Sequence, residues 1–382
     1  MNDNFCSLPW VGLDVSPQGE FKPCCKYENT IATDFNQYFD SIELKQLQDD
    51  FLKGVKPYGC RRCWQDEELG IASKRLIDLK YTFQNKHPKL DKFKIVSMPF
   101  GNTCNLACRI CGSSASSKWL SEAKALQKDI PDIPIRSHKK FYKDTNFMTK
   151  IASMSDEALL FEFPGGEPFL TGLTEHVEFL KKLVNGDPGN LRLHYITNTT
   201  ILPQPILWDL WKNFKNVDIQ LSIDGIEKHF EYNRWPAVWE DCLQNIKQYQ
   251  LEQKKYNNIQ LSISHSVSIF TVLYLPKFII WCRTQGLPNP YLGLVTTPEY
   301  YSINALPENT AKFIANMPAF QQKQLLPIKM KLLEKYNNCF DKFVDYVKIL
   351  DKHRHQDFAE TFPELYNLIE EEFNAKLYPH RT

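Results

Sequence analysis

Three closely spaced cysteines are the strongest sign of chemistry in this sequence. Cys104, Cys108 and Cys111 follow a short apolar run in a CxxxCxxC pattern. Three thiolates at this spacing can bind three irons of a cubane iron–sulfur cluster and leave its fourth iron without a protein ligand. A structural zinc site requires four ligands, so zinc and a purely structural role for buried cysteines are the weaker interpretations. The pattern therefore predicts a cluster with one open iron.

A second group of cysteines lies nearer the N-terminus. Cys6 and Cys24 enclose a glycine in a Cx12Gx4C pattern, and Cys60 and Cys63 form a CxxC pair. Two pairs of thiolates can hold an iron–sulfur cluster or a zinc ion. We interpret the four as ligands of one auxiliary cluster. Zinc, another cluster type, and Cys25 in place of Cys24 stay open as alternatives.

A folded domain must position both groups, and the composition is that of a globular protein. The chain has 382 residues, of which 43% are hydrophobic and 24% charged, values close to the globular average. The formal net charge is +1 and no long basic run occurs, so nucleic-acid binding is not indicated. Neither a membrane span nor a secretion signal is evident, which predicts a cytoplasmic protein. There, cysteines favour metal ligation over disulfides.

Six short apolar runs alternate with amphipathic segments from residue 93 onward. This alternation is typical of βα units that build a parallel sheet. Six units are too few for a closed eight-stranded barrel and fit an open, partial one. The runs cover residues 93–98, 159–163, 191–197, 217–223, 259–267 and 291–295.

The flanking segments predict two smaller parts. Residues 10–23 read as a hairpin around a Ser-Pro-Gln-Gly turn, and residues 328–350 carry one long apolar helical stripe. The predicted fold class is therefore α/β: a partial (β/α)6 TIM-like barrel over 91–305, a small auxiliary-cluster domain over 1–90 and a helical C-terminal extension over 306–382. The isolated Cys242, Cys282 and Cys339 are expected to be small buried hydrophobes.

The cysteine loop, placed after the first barrel strand, resembles the hallmark loop of the radical S-adenosylmethionine (SAM) superfamily. The resemblance implies that Cys104, Cys108 and Cys111 hold a [4Fe-4S] cluster whose open iron binds the amino and carboxylate groups of SAM. It further implies reductive cleavage of SAM to a 5′-deoxyadenosyl radical, which abstracts hydrogen from a substrate. Ile110 departs from the aromatic residue that many members have.

Motifs at later strand ends match the same family. Gly165-Gly166-Glu167-Pro168 looks like the GGEP motif, whose backbone binds the SAM ammonium group. The resemblance also assigns SAM contacts to Asn198, Ser222, Asp224 and Arg234, although short polar residues at strand ends often only cap the next helix. Ser264, Ser268 and Thr271 are equivalent candidates around the fifth strand. His194 and His265 lie on barrel strands, where a structural role is the commoner one.

The spacing of the N-terminal cysteines resembles the opening of SPASM and twitch auxiliary-cluster domains. Such domains usually follow the barrel, whereas here the candidate precedes it, which implies an N-terminal twitch-like domain. An auxiliary [4Fe-4S] cluster with four protein thiolates has no free iron. We therefore expect an electron-transfer or structural role for it.

The resemblance thus implies a radical SAM enzyme that acts as an oxidoreductase, epimerase or other radical-mediated modifier. A peptide or protein substrate is favoured over a sugar, nucleoside or antibiotic intermediate, and the reductant is expected to be an external electron donor of flavodoxin or ferredoxin type. A non-catalytic iron–sulfur or zinc-binding protein of the same fold is the rival hypothesis.

Overall fold

The computed structural model describes residues 2–82, 93–136, 139–153, 158–170, 173–186, 188–334 and 336–375. Its centre is one sheet of eight strands in the order β2-β1-β3-β4-β5-β6-β7-β8. The pair β1 and β2 is antiparallel, and all other neighbouring strands are parallel. The strands are β1 Gly12–Val15, β2 Phe21–Lys22, β3 Ile95–Ser97, β4 Leu160–Phe163, β5 Arg192–Thr197, β6 Asn216–Ser222, β7 Ile259–Val267 and β8 Tyr291–Leu294.

Strands β3 to β8 coincide with the six apolar runs, so the prediction of an α/β fold with a mostly parallel sheet is confirmed. Successive side chains of β5 alternate between the two faces of the sheet. Leu193, Tyr195 and Thr197 are fully buried, whereas the residues between them are half-buried. The curvature of a partial barrel and the domain limits at 90 and 305 stay predictions.

Helices connect the strands and cover one face of the sheet. The predicted crossover helices after β4, β5 and β6 are present as α8, α9 and α11. Among the described helices, none combines the length and the hydrophobicity that a membrane span requires. The helices are α1 Leu8–Val11, α2 Phe35–Tyr38, α3 Ile42–Leu52, α4 Arg61–Glu68, α5 Lys74–Thr82, α6 Ser117–Leu126, α7 Thr145–Ser153, α8 Leu173–Asn185, α9 Pro205–Trp211, α10 Glu227–Asn233, α11 Trp239–Gln253, α12 Leu275–Thr284, α13 Glu308–Asn316, α14 Leu326–Leu332, α15 Phe340–Arg354, α16 Phe358–Thr361 and α17 Pro363–Ala375.

The N-terminal hairpin is present as predicted, and it belongs to the main sheet. Strand β1 pairs in parallel with β3, with Gly12 opposite Ile95. Thus the N-terminal segment supplies the last two strands at one side of the sheet, with β2 as the edge strand. Lys74 of α5 extends this connection, because its ammonium group lies 3.1 Å from a carboxylate oxygen of Glu162 on β4.

The prediction of one long helix over 328–350 is wrong. The segment forms two helices, α14 and α15, because the chain between them turns away from helical geometry. Asn338 has a left-handed backbone with φ +57°, and the side chain of Asn337 accepts a hydrogen bond from the Cys339 amide at 3.1 Å. Asparagine tolerates this conformation better than most residues. The apolar stripe nevertheless continues, since both helices pack into one hydrophobic cluster.

Gly12→Ala should destabilise the fold, since the residue sits where β1 meets the turn after β2. A Cβ there would lie 2.3 Å from the Pro23 carbonyl oxygen and 3.0 Å from that of Leu8. We expect the free energy of unfolding to fall by about 1–3 kcal/mol, as measured by urea denaturation. At Gly186 a Cβ would meet only ordinary contacts at 3.5 Å and beyond, so Gly186→Ala is the matched control. Equal stabilities of the two variants would contradict this packing.

Candidate functional site

The cysteine loop connects β3 to α6 at the carboxyl end of the parallel strands. Cys104, Cys108 and Cys111 are all free and half-buried. The loop is folded onto itself, because the amide of Leu106 donates to the Cys104 sulfur at 3.4 Å and the amide of Cys111 donates to the Cys108 carbonyl at 2.9 Å. The three thiols therefore sit on one short, hydrogen-bonded segment.

Two side chains from distant parts of the sequence donate toward these sulfurs, one after a strand and one after a helix. Asn198, directly after β5, places its amide nitrogen 3.6 Å from the Cys104 sulfur. Arg234, directly after α10, places Nη1 4.0 Å from the Cys108 sulfur. Donors to sulfur stabilise thiolate over thiol, which is the form that binds metal. The structure thus brings two of the predicted site residues to the cysteine loop.

Burial raises the pKa of all three thiols in the cofactor-free chain. The pKa of Cys108 is raised to about 12 and that of Cys111 to about 11, and that of Cys104 is also raised. The Arg234 guanidinium opposes this shift at each of them, most strongly at Cys108. These thiols therefore stay protonated at neutral pH unless a positively charged ligand displaces the proton.

The Gly-Gly-Glu-Pro segment packs against the beginning of the cysteine loop. Gly165 and Gly166 have φ of +79° and +53°, and a Cβ on Gly166 would lie 2.7 Å from the Thr103 carbonyl oxygen. Only glycine allows both this conformation and this approach. The amide of Glu167 donates to the same Thr103 carbonyl at 2.8 Å. Pro168 is buried behind it, so the motif fixes the loop that follows β3 to the loop that follows β4.

Glu167 links the ends of β4 and β5. Its carboxylate accepts hydrogen bonds from the backbone amide of Asn198 at 2.7 Å and from the Thr197 hydroxyl at 2.9 Å. The side chain has no exposed surface, and burial raises its pKa to about 7 although these hydrogen bonds oppose the shift. Glu167 therefore positions the residue that contacts Cys104.

Asp224 and Arg234 form an ion pair at the ends of β6 and α10. Arg234 Nη2 lies 2.7 Å from Asp224 Oδ2, and Asp224 Oδ1 accepts from the Ser266 amide at 2.7 Å. Burial opposes the charge of Arg234, but Asp224 and Cys108 outweigh it and raise its pKa. The ion pair holds the guanidinium beside Cys108.

The serine candidates separate clearly. The Ser222 and Ser264 hydroxyls lie 3.3 Å apart on neighbouring strands. Ser268 and Thr271 instead bond within the turn after β7, where the Ser268 amide donates to the Thr271 hydroxyl at 2.9 Å. Ser264 is therefore the member of this group that adjoins a predicted site residue.

The two candidate histidines occupy opposite faces of the sheet. His265 is buried against Phe278 and contacts the Ile223 carbonyl oxygen at 2.9 Å, so its role is structural. Burial also lowers its pKa. His194 lies between the carboxylates of Glu162, at 3.6 Å, and Asp218, at 3.3 Å. This polar group lies on the face of the sheet that the helices α8 and α9 do not cover.

The N-terminal cysteines are held near one another by two helices and the hairpin. Cys6 precedes α1, Cys24 follows β2, and Cys60 and Cys63 flank the start of α4. Burial raises the pKa of Cys6, and the neighbouring Cys60 and Cys63 raise it further. Arg75 fixes this arrangement, because its Nη1 donates to the carbonyls of Asp3 at 3.0 Å and Phe5 at 2.7 Å while its other nitrogens bind Glu67 of α4.

Cys24 and Cys25 have different surroundings. Burial raises the pKa of Cys24 well above its usual value, with Cys25, Cys6 and Cys63 adding to the shift. Cys25 is exposed by surface area, and its electrostatic neighbours include Lys74, Asp14 and Glu162. Cys24 lies within electrostatic range of Cys6 and Cys63, and the choice between Cys24 and Cys25 as a ligand stays a prediction.

The remaining cysteines match their expected structural role to different degrees. Cys242 on α11 and Cys282 on α12 have no exposed surface, whereas Cys339 is half-buried at the start of α15. All eleven cysteines are free.

Within the described ranges, no three His, Cys, Asp or Glu side chains are arranged to hold a single metal ion.

Several contacts at the loop have no signal in the sequence. The side chain of Asn105 accepts a hydrogen bond from the side-chain amide of Asn198 at 2.9 Å and donates one to the Thr200 hydroxyl at 2.8 Å. The Trp119 indole donates to the Cys108 carbonyl at 2.7 Å. Only the position of Asn105 beside Cys104 could have indicated its contact, because the other partners are distant in the chain.

Comparisons with known proteins give only distant structural likenesses. No protein-family model and no curated protein matches the chain. The chain is similar to native anSMEcpe with bound AdoMet, at 19% identity over 62% of each chain and a TM-score of 0.44. It is also similar to Streptococcus suis SuiB bound to S-adenosylmethionine, at 13% identity over 86% of this chain and 64% of that one, with a TM-score of 0.37. It is similar as well to TYW1 with a lysine–pyruvate adduct bound, at 12% identity over 68% of this chain and 78% of that one, with a TM-score of 0.34.

Glu167→Gln should flatten the pH dependence of unfolding in the cofactor-free chain. The folded chain holds the Glu167 proton up to about pH 7, whereas an unperturbed glutamate loses it near 4.5. Between these values the folded state binds more protons than the unfolded state, so this group makes the free energy of unfolding fall as pH rises, by up to about 1.4 kcal/mol per pH unit.

Urea denaturation across about pH 5 to 7 measures this slope. Glutamine does not titrate, so the variant should show a smaller decline than the wild type. The control is Glu178→Gln on the exposed face of α8, where the glutamate side chain is 59% exposed. Identical slopes for the wild type and Glu167→Gln would contradict the burial of a titrating carboxyl at this position.

Proposed function

We propose that this chain is a radical SAM enzyme whose Cys104, Cys108 and Cys111 hold a [4Fe-4S] cluster. Bound together, the cluster and SAM would supply reductive cleavage of SAM to a 5′-deoxyadenosyl radical that abstracts hydrogen from a substrate. The observation that carries the proposal is the approach of Asn198, from the end of β5, and Arg234, from the end of α10, to the sulfurs of Cys104 and Cys108.

The donors around the thiols fit a thiolate-bound cluster. Hydrogen bonds to ligating sulfurs are part of what tunes an iron–sulfur cluster. Cys104 receives one from the Leu106 amide and one from Asn198, and Cys108 faces the positive charge of Arg234. Cys111 lies on the same loop, directly after Ile110. These contacts stabilise negatively charged sulfurs at Cys104 and Cys108 relative to neutral thiols.

The neighbouring groups fit an adenosyl cofactor with a charged amino-acid end. The Gly165–Gly166 backbone packs tightly against Pro99 and Thr103 of the loop before Cys104, and the resemblance assigns this backbone to the SAM ammonium group. Arg234 uses Nη2 for Asp224, and its Nε is buried without a partner among the described residues. That donor is available to the SAM carboxylate. Asn198, Ser222 and Asp224 are polar groups suited to the ribose.

We further propose that Cys6, Cys24, Cys60 and Cys63 hold an auxiliary [4Fe-4S] cluster in a twitch-like N-terminal unit. The support is the placement of the four cysteines, with Cys6 before α1, Cys24 after β2, and Cys60 and Cys63 at the start of α4. Arg75 joins two of these segments, because it binds the carbonyls of Asp3 and Phe5 and the carboxylate of Glu67 on α4. With four protein thiolates this cluster would leave no open iron. Its role would be structural or in electron transfer, with an external donor of flavodoxin or ferredoxin type as the source of electrons.

A peptide or protein is the proposed substrate, and a sugar, nucleoside or antibiotic intermediate is the alternative. The face of the sheet opposite α8 and α9 carries a chain of polar contacts that runs from Lys74 to Glu162, His194 and Asp218. Such a surface suits a substrate with hydrogen-bonding groups. A test panel should therefore contain peptides and small polar molecules.

Anaerobic assay of SAM cleavage tests the function directly. The reconstituted wild type with a strong reductant should produce 5′-deoxyadenosine, and Cys104→Ala should lower the rate by at least about 100-fold because a cluster ligand is lost. Cys282→Ala, which removes a buried thiol on α12, should retain the wild-type rate. Absence of 5′-deoxyadenosine from an iron-loaded wild type would favour a non-catalytic iron–sulfur protein.

Iron analysis separates the two cysteine groups. Two cubane clusters predict about eight irons per wild-type chain. Cys60→Ala combined with Cys63→Ala, and separately the triple Cys104, Cys108 and Cys111 to Ala variant, should each retain about four. Iron content that is unchanged by the Cys60 and Cys63 substitutions would contradict the auxiliary cluster. Tightly bound zinc that is lost in the Cys60 and Cys63 variant would show that these cysteines form a zinc site.

A further inference from the structure

The C-terminal extension contacts the cysteine loop through a buried arginine of the loop itself. Arg109 lies between Cys108 and Ile110, and only 1% of it is exposed. Its guanidinium forms an ion pair with Asp351 of α15, donates to Gln356 at 3.0 Å, and stacks 3.7 Å from the centre of the Tyr232 ring. Thus the side chain of the residue after Cys108 is fixed by helices 120 to 250 residues away in the sequence.

Both carboxylate oxygens of Asp351 accept hydrogen bonds in this arrangement. One carboxylate oxygen accepts from Arg109 and from the Tyr232 hydroxyl at 2.8 Å. The other accepts from the Phe358 amide at 2.8 Å, at the beginning of α16. A neutral amide at this position could not satisfy all three donors, and it would leave the buried Arg109 without its counter-charge.

Arg354, one turn further along α15, holds the loop backbone. Its Nη2 donates to the Ala107 carbonyl at 2.8 Å, while Nε and Nη2 bind both carboxylate oxygens of Glu122 on α6 at 2.7 Å. The guanidinium also lies 5.4 Å from the Trp119 ring and 5.0 Å from the Trp235 ring. Lysine has its three donors on a single nitrogen and lacks the planar fork that spans these partners and faces the two rings.

The same loop residues are bonded to the segment that carries Arg234. The Ala107 amide donates to the Trp235 carbonyl and the Arg109 amide to the Asn233 carbonyl, both at 2.8 Å. The contacts of α15 with this part of the loop therefore also set where Arg234 meets Cys108. One helix end constrains both the thiols and the guanidinium beside them.

We propose that Asp351 and Arg354 are positioning residues for the SAM-binding cysteines, so that the end of α15 holds the loop in the geometry that cluster and SAM require. This inference rests on the proposed function for its consequence in SAM binding. Its structural part concerns the loop of the full-length chain and is measurable without a cofactor.

Hydrogen exchange followed by mass spectrometry tests that part. In Asp351→Asn and Arg354→Lys, amide exchange over residues 104–112 should be about tenfold faster than in the wild type, because the loop loses contacts that keep it closed. Exchange over residues 217–222 of β6 reports the rest of the fold and should stay unchanged. Lys352→Gln, on an exposed position of α15, is the matched control and should behave as the wild type.

The reconstituted variants test the consequence for SAM. The KM for SAM should rise about tenfold in Asp351→Asn, a typical effect of disturbing groups behind metal ligands, with a smaller change in kcat. The SAM-induced change in the spectrum of the reduced cluster should weaken in parallel. Gln356→Ala removes one hydrogen bond from Arg109 and should show the same changes to a lesser degree in a chain that still folds.

The outcomes are distinguishable from those of the proposed function. If amide exchange over residues 104–112 in both Asp351→Asn and Arg354→Lys equals that of the wild type, the positioning role is overturned and the proposed SAM cleavage is unaffected. Faster exchange in variants of a chain that never cleaves SAM would overturn the proposed function and retain the contact between α15 and the loop. Faster exchange with an unaltered KM and spectrum would reduce Asp351 and Arg354 to a structural role.

Discussion

Parallel pairing of neighbouring strands is the constraint on which the candidate site depends. Because β3 to β7 run in one direction, the loops that follow them meet at one edge of the sheet. Two carboxylates join these ends in pairs, Glu167 from β4 to β5 and Asp224 from β6 to β7. Each also holds a residue that approaches a cysteine sulfur, Asn198 or Arg234. The contacts to the thiols are thus consequences of strand order.

Buried arginines solve a problem that both cysteine groups share. Cys6 and the loop from Cys104 to Cys111 lie outside regular helices and strands, so the backbone polar groups there need partners from elsewhere. Arg75 binds the carbonyls on either side of the Asn4–Phe5 segment before Cys6, and Arg354 binds the carbonyl before Cys108. The planar guanidinium can donate to a carbonyl and a carboxylate at the same time. Lysine does so less effectively, because its donors are all on one nitrogen.

The sequence predicted what local patterns encode. The six parallel strands β3 to β8 were predictable because each is a short segment rich in apolar residues, and the cysteine groups because their spacing is short. The pairing of β1 with β3 joins residues 12–14 to 95–97, and Arg109 meets Asp351 across 242 positions, so neither leaves a local pattern. The break before α15 was missed because apolar spacing continued through Asn337 and Asn338. The assignment of each cysteine to a cluster stays a prediction.

The membership of the N-terminal hairpin in the main sheet determines how this protein can be dissected. Removing residues 1–90 would leave β3 as an exposed edge, with the buried Ile95 and Val96 backbone unpaired. Unprotected strand edges of this kind recruit other chains and aggregate. The segment that carries the N-terminal cysteines is therefore not a detachable module: a truncated barrel or a chimera would have to supply a replacement strand beside β3 before its chemistry could be studied.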